Sequence, residues 1–467
     1  VKSFRWTAAE VRRALGQADD AADLVFAGVS TDTRKVGTGD LFVALRGDRF
    51  DGHGYLTQAA EAGAVGAVVD SVPDNAPAGL AYFVVPNTLH ALGALGRHRR
   101  RALTARVVGV VGSNGKTTTK DLIRVVLSAK YRTHATEGNL NNQIGVPLTL
   151  LATPDDAEVL VVEMGTNEPG EIEILTRIVD PDAAIVTSIG EEHLEKLGDL
   201  EGVLNEEIAI LRELRPGGLA LVAEEPAVLP DLARELVHDG VVRVAGFSAA
   251  ADLRPDGGGD GDSVMLEADG GTRWSWRGHA VHLPLPGRWN VRNALLALGL
   301  ADAWGVPPAD AAAALSTVPR PKLRGEWKRI GGVRLLADCY NSNPPSAAAS
   351  LELLATLPRE GPRIAVLGTM RELGAAADEL HRRTADAAAE RIGTGIDLIV
   401  ATGAFVAAFE PLADRLGSAL VLCSDPVGAY DRTAPSLNGT ETILLKASRG
   451  EALERWIPLL ERDFGGG

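Results

Sequence analysis

Val107-Val108-Gly109-Val110-Val111-Gly112-Ser113-Asn114-Gly115-Lys116-Thr117 is the stretch on which the reading of the chain turns. Its first five residues carry no polar side chain, the make-up of a parallel strand buried on both faces. A helical pattern over residues 120–130 follows at once. A strand, a glycine turn and a helix are the setting in which Gly-x-x-Gly-Lys-Thr becomes a phosphate-binding loop. Glycine lets the backbone turn its N–H groups inward onto phosphate oxygens, and the helix N-terminus adds partial positive charge. Lys116 can then reach the β- and γ-phosphates, and the Thr117 hydroxyl can ligate Mg2+. The strict loop pattern has glycine at position 110; this chain has Val110 there and Gly112 instead, so the loop is a variant.

Outward from the loop, the apolar signature repeats at residues 159–162 and 184–187, with a helical pattern over 170–178 between them. Alternating strands and helices imply a parallel α/β sheet with right-handed crossovers. Upstream, Leu41-Phe42-Val43-Ala44-Leu45 and Val65-Gly66-Ala67-Val68-Val69 read as strands among Ala-rich helices. Downstream of Pro319-Arg320-Pro321, strands at 333–337, 364–367, 398–401 and 443–445 alternate with Ala-rich helices, the pattern of a second doubly wound domain. The expected fold is α/β in three domains: a mixed α/β unit over 1–103, a P-loop parallel-sheet unit over 104–318 and a Rossmann-like unit over 319–467. Within 245–285, the run Asp256-Gly-Gly-Gly-Asp260-Gly-Asp262 lacks EF-hand spacing and reads as a solvated hairpin. Arg97-His98-Arg99-Arg100-Arg101 reads as a solvated helix end.

With 467 residues, two to four domains of roughly 100–200 residues are expected. A hydrophobic share of 45% can bury proper cores. The formal net charge of −15 argues against a general nucleic-acid binder, so an anionic ligand must be held by local Lys, Arg and backbone N–H groups. Cys339 and Cys423 are far apart and outside any Cys-x-x-Cys pair, which indicates neither a zinc site nor a disulfide framework. No apolar run approaches the ~20 residues of a transmembrane helix, and the first 15 residues lack a signal-peptide pattern. A cytoplasmic enzyme without membrane insertion, monomeric by default, is expected.

Gly112-Ser113-Asn114-Gly115-Lys116-Thr117 resembles the loop of the Mur ligase family, which joins amino acids to cell-wall precursors. Two further blocks carry the resemblance: Thr136-Glu137-Gly138-Asn139-Leu140-Asn141-Asn142-Gln143-Ile144-Gly145-Val146-Pro147 and Tyr340-Asn341-Ser342-Asn343-Pro344. The Asp-Asn-Pro-Arg motif of the tripeptide-forming relative is absent, and the similarity runs from about residue 28 to 449. It implies ATP- and Mg2+-dependent ligation of D-alanyl-D-alanine to UDP-N-acetylmuramoyl-tripeptide through an acyl phosphate. The loop alone fits any nucleotide hydrolase.

The resemblance also assigns residues. The loop from Gly112 to Thr118, that is Gly112, Ser113, Asn114, Gly115, Lys116, Thr117 and Thr118, would cradle ATP. Glu163, in Glu163-Met164-Gly165, matches a Mg2+-binding Glu, and His193 matches a ligand of a second Mg2+. At position 207 relatives have a lysine carbamylated by CO2, whereas this chain has Glu207. Either Glu207 supplies an encoded carboxylate in its place, with a bridging water or shifted helix making up the missing length, or it is a surface helix residue. Gly287-Arg288-Trp289-Asn290-Val291-Arg292-Asn293 resembles the adenine segment Gly-x-His-Asn-x-x-Asn. Asn290 and Asn293 would pair with adenine, while Trp289 packs on the base or belongs to the core. Arg324 and Asp338 match residues that face the phosphates and ribose from the third domain, and their use implies closure over ATP. For the UDP-sugar, the resemblance points to Ser30, Asp32, Arg34, Arg46, Asp51 and His53, although Ser-Thr-Asp-Thr-Arg alone is as well an ordinary polar turn. Asn139 and Asn142 would hold the muramoyl-peptide arm, and Tyr340 and Asn341 line the substrate side. Thr369 and Ala447 depart from the family's Asp and Gly in blocks tied to D-Ala-D-Ala binding.

Overall fold

The computed structural model describes residues 6–18, 23–47, 50–257, 263–267 and 270–466. Residues 258–262 of the expected hairpin, and Asp48 and Arg49, lie outside them. Its architecture is the expected one: three α/β units, each built on a largely parallel sheet.

The central sheet is wholly parallel, in the order Thr133–Ala135, Val159–Glu163, Arg106–Val111, Ala183–Val186, Leu219–Ala223, Val241–Ala245. Its uninterrupted apolar runs have a plain cause. Val108 and Val110 point into one core with Leu122 and Ile123 of the helix Lys116–Ser128 and with the helix Arg288–Ala303. Val107 and Val111 point into a second core with Ile172 and Leu175 of the helix Glu171–Val179. Side chains alternate faces along a strand, so two covered faces require apolar residues at every position. Each fully buried Val or Leu contributes about 1.5–3 kcal/mol. Val110 sits inside the ladder, opposite Glu163 and Ile185, so the loop can begin only at Gly112.

The first unit carries four parallel strands in chain order, Gly28–Ser30, Asp40–Val43, Gly66–Val69 and Ala81–Val84. The third has the order Glu326–Ile330, Val333–Asp338, Thr442–Lys446, Arg363–Leu367, Leu398–Ala401, Leu420–Leu422, with only the first pair antiparallel. Its strands feed cores on both faces, Leu336 and Ala365 on one, Leu335 and Ile364 on the other. A small antiparallel sheet, Met265–Leu266, Thr272–Trp276 and His279–Leu283, packs Trp274 and Trp276 into the central core.

One expectation is corrected. The basic run does close the helix Thr88–Ala102, but it is not a solvated end. Arg99 and Arg100 are buried. Arg99 donates to the Thr153 carbonyl and pairs with Asp155 at 2.7 Å. Arg100 donates to the carbonyls of Val179 at 2.8 Å and Asp180 at 3.0 Å and pairs with Asp182. These are the C-terminal ends of central-unit helices, where carbonyls lack helical partners and a cation is favoured. The two arginines therefore fasten the first unit's long helix to the second unit.

Candidate active site

The loop after Arg106–Val111 is held from behind by the next strand. Gly112 has φ +123°, and a Cβ there would lie 2.4 Å from Thr187 Oγ1. The Asn114 N–H donates to Ser188 Oγ at 2.9 Å, and Thr187 Oγ1 donates to the Asn114 carbonyl at 2.7 Å. The Gly190 N–H donates to Ser113 Oγ at 2.9 Å. Lys116 turns back onto the loop, its Nζ 2.5 Å from the Gly112 carbonyl and 3.6 Å from Glu192 Oε1. Burial works against the lysine's charge, but Glu192, Glu207 and Glu163 outweigh it and its pKa is raised.

Glu163 ends its strand with Oε1 accepting from Thr117 Oγ1 at 3.1 Å and from Asn141 Nδ2 at 2.9 Å. Its Oε2 is buried with no hydrogen-bond partner. A loop threonine beside a strand-end carboxylate is the pairing that holds Mg2+ next to a nucleotide. Among the described residues no three His, Cys, Asp or Glu side chains converge as a metal cluster. Mg2+ binds through one or two carboxylates, with phosphates and water completing its shell. The orphaned Glu163 oxygen is an acceptor of the right hardness, so these residues fit the ion.

His193 lies in a left-handed conformation, φ 51°, at the start of the short helix Leu194–Leu197. Its Nδ1 is 2.6 Å from Glu372 Oε2 of the third unit, and its Nε2 is 3.9 Å from Glu192 Oε2. Burial lowers the imidazole pKa, yet the Glu372 hydrogen bond and the Glu192 charge leave it raised.

Glu207 conforms to neither reading of the sequence. It is no surface residue, being 0% exposed. Its Oε2 accepts from the Gly112 N–H at 2.7 Å, behind the loop, and it is absent from the lining of the cleft in front. Burial raises its pKa, Lys116 draws it back and Glu192 raises it again, leaving it at about 7. The adjacent Glu206 accepts from the Gly170 and Ile172 N–H groups at the start of the helix Glu171–Val179.

In front of the loop lies a cleft of about 1010 Å³. It brings together Ser113 to Thr118, Asn139, Asn142, Glu163, His193, Asn290 and Asn293 from the central unit with Arg324, Asp338, Tyr340 and Asn341 from the third. The third unit is thus packed over the loop, and Arg383 reaches Glu191 at 2.5 Å across the same boundary. Several of these side chains already have structural work. Asn142 Oδ1 accepts from the Gly145 N–H at the start of Gly145–Ala152. Asn290 Nδ2 donates to the Pro286 carbonyl. Asn293 sits where a Cβ on Gly115 would fall, 2.8 Å away. The Asp338 carboxylate takes Lys446 Nζ at 2.9 Å and Ser350 Oγ at 2.7 Å, and Arg324 stacks 3.9 Å over the Tyr340 ring. Trp289 lines the cleft and also packs on the third unit's core.

Ser30, Asp32, Arg34, Arg46, Asp51 and His53 lie elsewhere, near the C-terminal ends of the first unit's parallel strands, the edge where such sheets bind ligands. Arg34 forks onto Asp32 at 2.9 and 2.8 Å and holds that carboxyl down at about 2. Arg46 pairs with Asp70 at 2.9 Å, and His53 bridges the Asp51 carboxylate and the Asp70 N–H. Sequence reasoning missed Asn141, Glu192 and Glu372 as site residues. Asn141 stood inside the quoted Thr136–Pro147 block and Glu192 next to His193, but only the fold shows which side chains face the cleft.

Comparison with known proteins follows this geometry. Residues 25–100 match a Mur ligase family catalytic domain, 110–301 the Mur ligase middle domain and 323–449 the Mur ligase glutamate ligase domain. The UDP-N-acetylmuramoyl-tripeptide--D-alanyl-D-alanine ligase of Bacillus subtilis strain 168 is 34% identical over 444 residues, 93% of this chain and 93% of its own. A crystal structure of MurF from Acinetobacter baumannii superposes with a TM-score of 0.87 at 29% identity, over 99% of this chain and 100% of that one. MurF ligase from Thermotoga maritima in complex with ADP gives 0.79 at 26% identity, over 94% and 97%.

Proposed function

The chain belongs to the Mur ligase family, and from that premise we propose that it joins D-alanyl-D-alanine to UDP-N-acetylmuramoyl-tripeptide, with ATP converted to ADP and phosphate. The observation that carries the reading is the single cleft in which the phosphate loop, the Asn139–Asn142 segment and the Tyr340-Asn341 segment face one another. A carboxyl donor, a γ-phosphate and an amine must meet in one place for this reaction, and the central and third units line this one cavity together.

A carboxylate oxygen is a poor leaving group. The terminal carboxylate of the tripeptide attacks the γ-phosphorus, and ADP departs. The amine of D-Ala-D-Ala then adds to the acyl carbon, loses a proton, and expels phosphate. Phosphoryl transfer needs mainly positioning and charge neutralisation. Lys116 and the N–H groups of Gly115 to Thr117 supply these on the β- and γ-phosphates, and Arg324 adds a cation from the opposite wall. Thr117, Glu163 and His193 would hold Mg2+, which when bound neutralises phosphate charge. Asn139 and Asn142 orient the peptide arm. Asn290 and Asn293 serve the adenine end, and Asp338 the ribose. Packing of the third unit over the loop keeps water from the activated carboxyl.

We assign residues 1–103 to the UDP-sugar, through Ser30, Asp32, Arg34, Arg46, Asp51 and His53, residues 104–318 to ATP, and residues 319–467 to D-Ala-D-Ala and closure. No helix among the described residues is long and apolar enough to cross a membrane. We take the enzyme to act on small molecules in the cytoplasm as a monomer. The test is ADP release with UDP-N-acetylmuramoyl-tripeptide, with and without D-Ala-D-Ala. Release that depends on both supports the reading. Slow release indifferent to both would make the chain a regulatory ATPase instead.

A further inference from the structure

The geometry points to Glu192 as the carboxylate that, beside His193, completes the second cation position in front of the phosphate loop, with Glu207 serving as a strut behind it. This deepens the ligase reading and rests on it.

Three buried carboxylates, Glu163, Glu192 and Glu207, act on one lysine, Lys116. Three carboxylates thus share this corner with one lysine before any triphosphate arrives. Buried charge of that kind persists only when paired or when it coordinates a cation. The three are not equivalent. Glu163 already faces Thr117. Glu207 spends one oxygen on the Gly112 N–H at 2.7 Å; its other oxygen is buried without a partner, as one oxygen of Glu163 and of Glu192 is, but Glu207 alone of the three does not line the cleft.

Glu192 arrives from the other direction. It follows the strand Ala183–Val186, in the segment whose Gly190 is bonded to Ser113. It is 4% exposed, and it lines the cleft. Its Oε1 has no hydrogen-bond partner, the nearest cation being Lys116 Nζ at 3.6 Å. Its Oε2 is 3.9 Å from His193 Nε2. That imidazole is oriented by Glu372, which binds Nδ1 at 2.6 Å. A ring whose far nitrogen is fixed by a carboxylate presents the near one as a ligand, and here the near one faces Glu192. Glu192 Oε2 and the oriented nitrogen, 3.9 Å apart, are two donors beside one position, with phosphate oxygens and water left to complete the shell. Because Glu372 belongs to the third unit, the second position is complete only when that unit is packed on the loop.

The test counts cations directly. Full-length protein with the nonhydrolysable analogue AMP-PNP is titrated with Mn2+, and free Mn2+ is read by electron paramagnetic resonance. The wild type is expected to bind two Mn2+ per chain. Glu192→Gln is expected to keep one and to weaken the other at least tenfold, and Glu192→Ala to do the same without introducing a new donor. Glu207→Gln retains an acceptor for the Gly112 N–H and is expected to keep both. Two tight sites in both Glu192 variants, or loss of the second site in Glu207→Gln alone, would overturn the assignment. ADP release by the wild type with both substrates separates this failure from failure of the ligase reading: the first leaves substrate-dependent turnover intact, the second abolishes it whatever the Mn2+ count.

Discussion

Replacing Glu163 by Gln sets stability against ligand binding, and the structure predicts opposite signs for the two. Glu163 Oε1 accepts from Thr117 and Asn141, and a glutamine carbonyl can accept the same two bonds in the same volume. The other oxygen, Oε2, is buried without a partner. An unsatisfied buried acceptor costs about 1–3 kcal/mol, and neutralising the group removes the charged part of that cost. The ligand-free variant should therefore unfold at the wild-type temperature or slightly above it. Nucleotide binding should suffer. Even an outer partner of a metal site is worth about 10–100-fold in metal affinity, and a direct carboxylate ligand at least that, or about 1.4–2.8 kcal/mol. The assay is calorimetric titration with ADP, with and without Mg2+. ADP alone should bind both proteins alike, and the Mg2+-dependent gain should vanish in the variant. An undiminished gain would refute the role of Glu163. A fall of many degrees in the melting temperature would show the carboxylate to be structural.

Gly112→Ala forces a side chain onto φ +123° and places its Cβ 2.4 Å from Thr187 Oγ1; with about 1–3 kcal/mol of backbone strain, ADP affinity should fall at least tenfold, and an unchanged titration would contradict the loop geometry. Arg100→Met should lower stability by about 3–5 kcal/mol, because it strands the carbonyls of Val179 and Asp180 and takes one cation from Asp182; a denaturant midpoint within error of wild type would show that the two units are not fastened there. Cys339 is 1% exposed and burial pushes its thiol up to about 12. A neutral-pH thiol reagent should modify only Cys423 in the folded protein and both cysteines in denaturant, and two fast equivalents in the native state would contradict that environment. Turnover should be insensitive to CO2 depletion, since position 207 carries no lysine to carbamylate; recovery of activity on adding bicarbonate would point to a carbamate elsewhere.

The fold was legible because its strands are buried on two faces. Runs such as 107–111 and 159–162 have no polar residue, and the alternation of Val108 and Val110 against Val107 and Val111 between two cores explains why. The nucleotide side of the site was legible for a related reason. The loop, Thr117 and Glu163 are close to strand ends, so sequence position and spatial position coincide. Arg99 and Arg100 were misread because a cluster of arginines at a helix end looks solvated until the helix ends it caps are in view. Glu207 was expected to reach a metal or to lie on a helix surface; it ends the helix Leu200–Glu207 but is buried against the Gly112 N–H, a depth that no local pattern reveals. The pairing of His193 with Glu372, some 180 residues apart in the chain, comes only from the packing of one unit on another, and no local signal carries it.

The account stands or falls on activation of the tripeptide's terminal carboxyl. UDP-N-acetylmuramoyl-tripeptide labelled with oxygen-18 in that carboxyl group, incubated with ATP and D-alanyl-D-alanine, should yield the pentapeptide product together with inorganic phosphate carrying one labelled oxygen per molecule, since the bridging oxygen leaves with phosphorus when the amine displaces it. Phosphate free of label, read by mass spectrometry alongside confirmed ADP formation, would mean that water and not the carboxylate attacks ATP, and would contradict the proposed reaction.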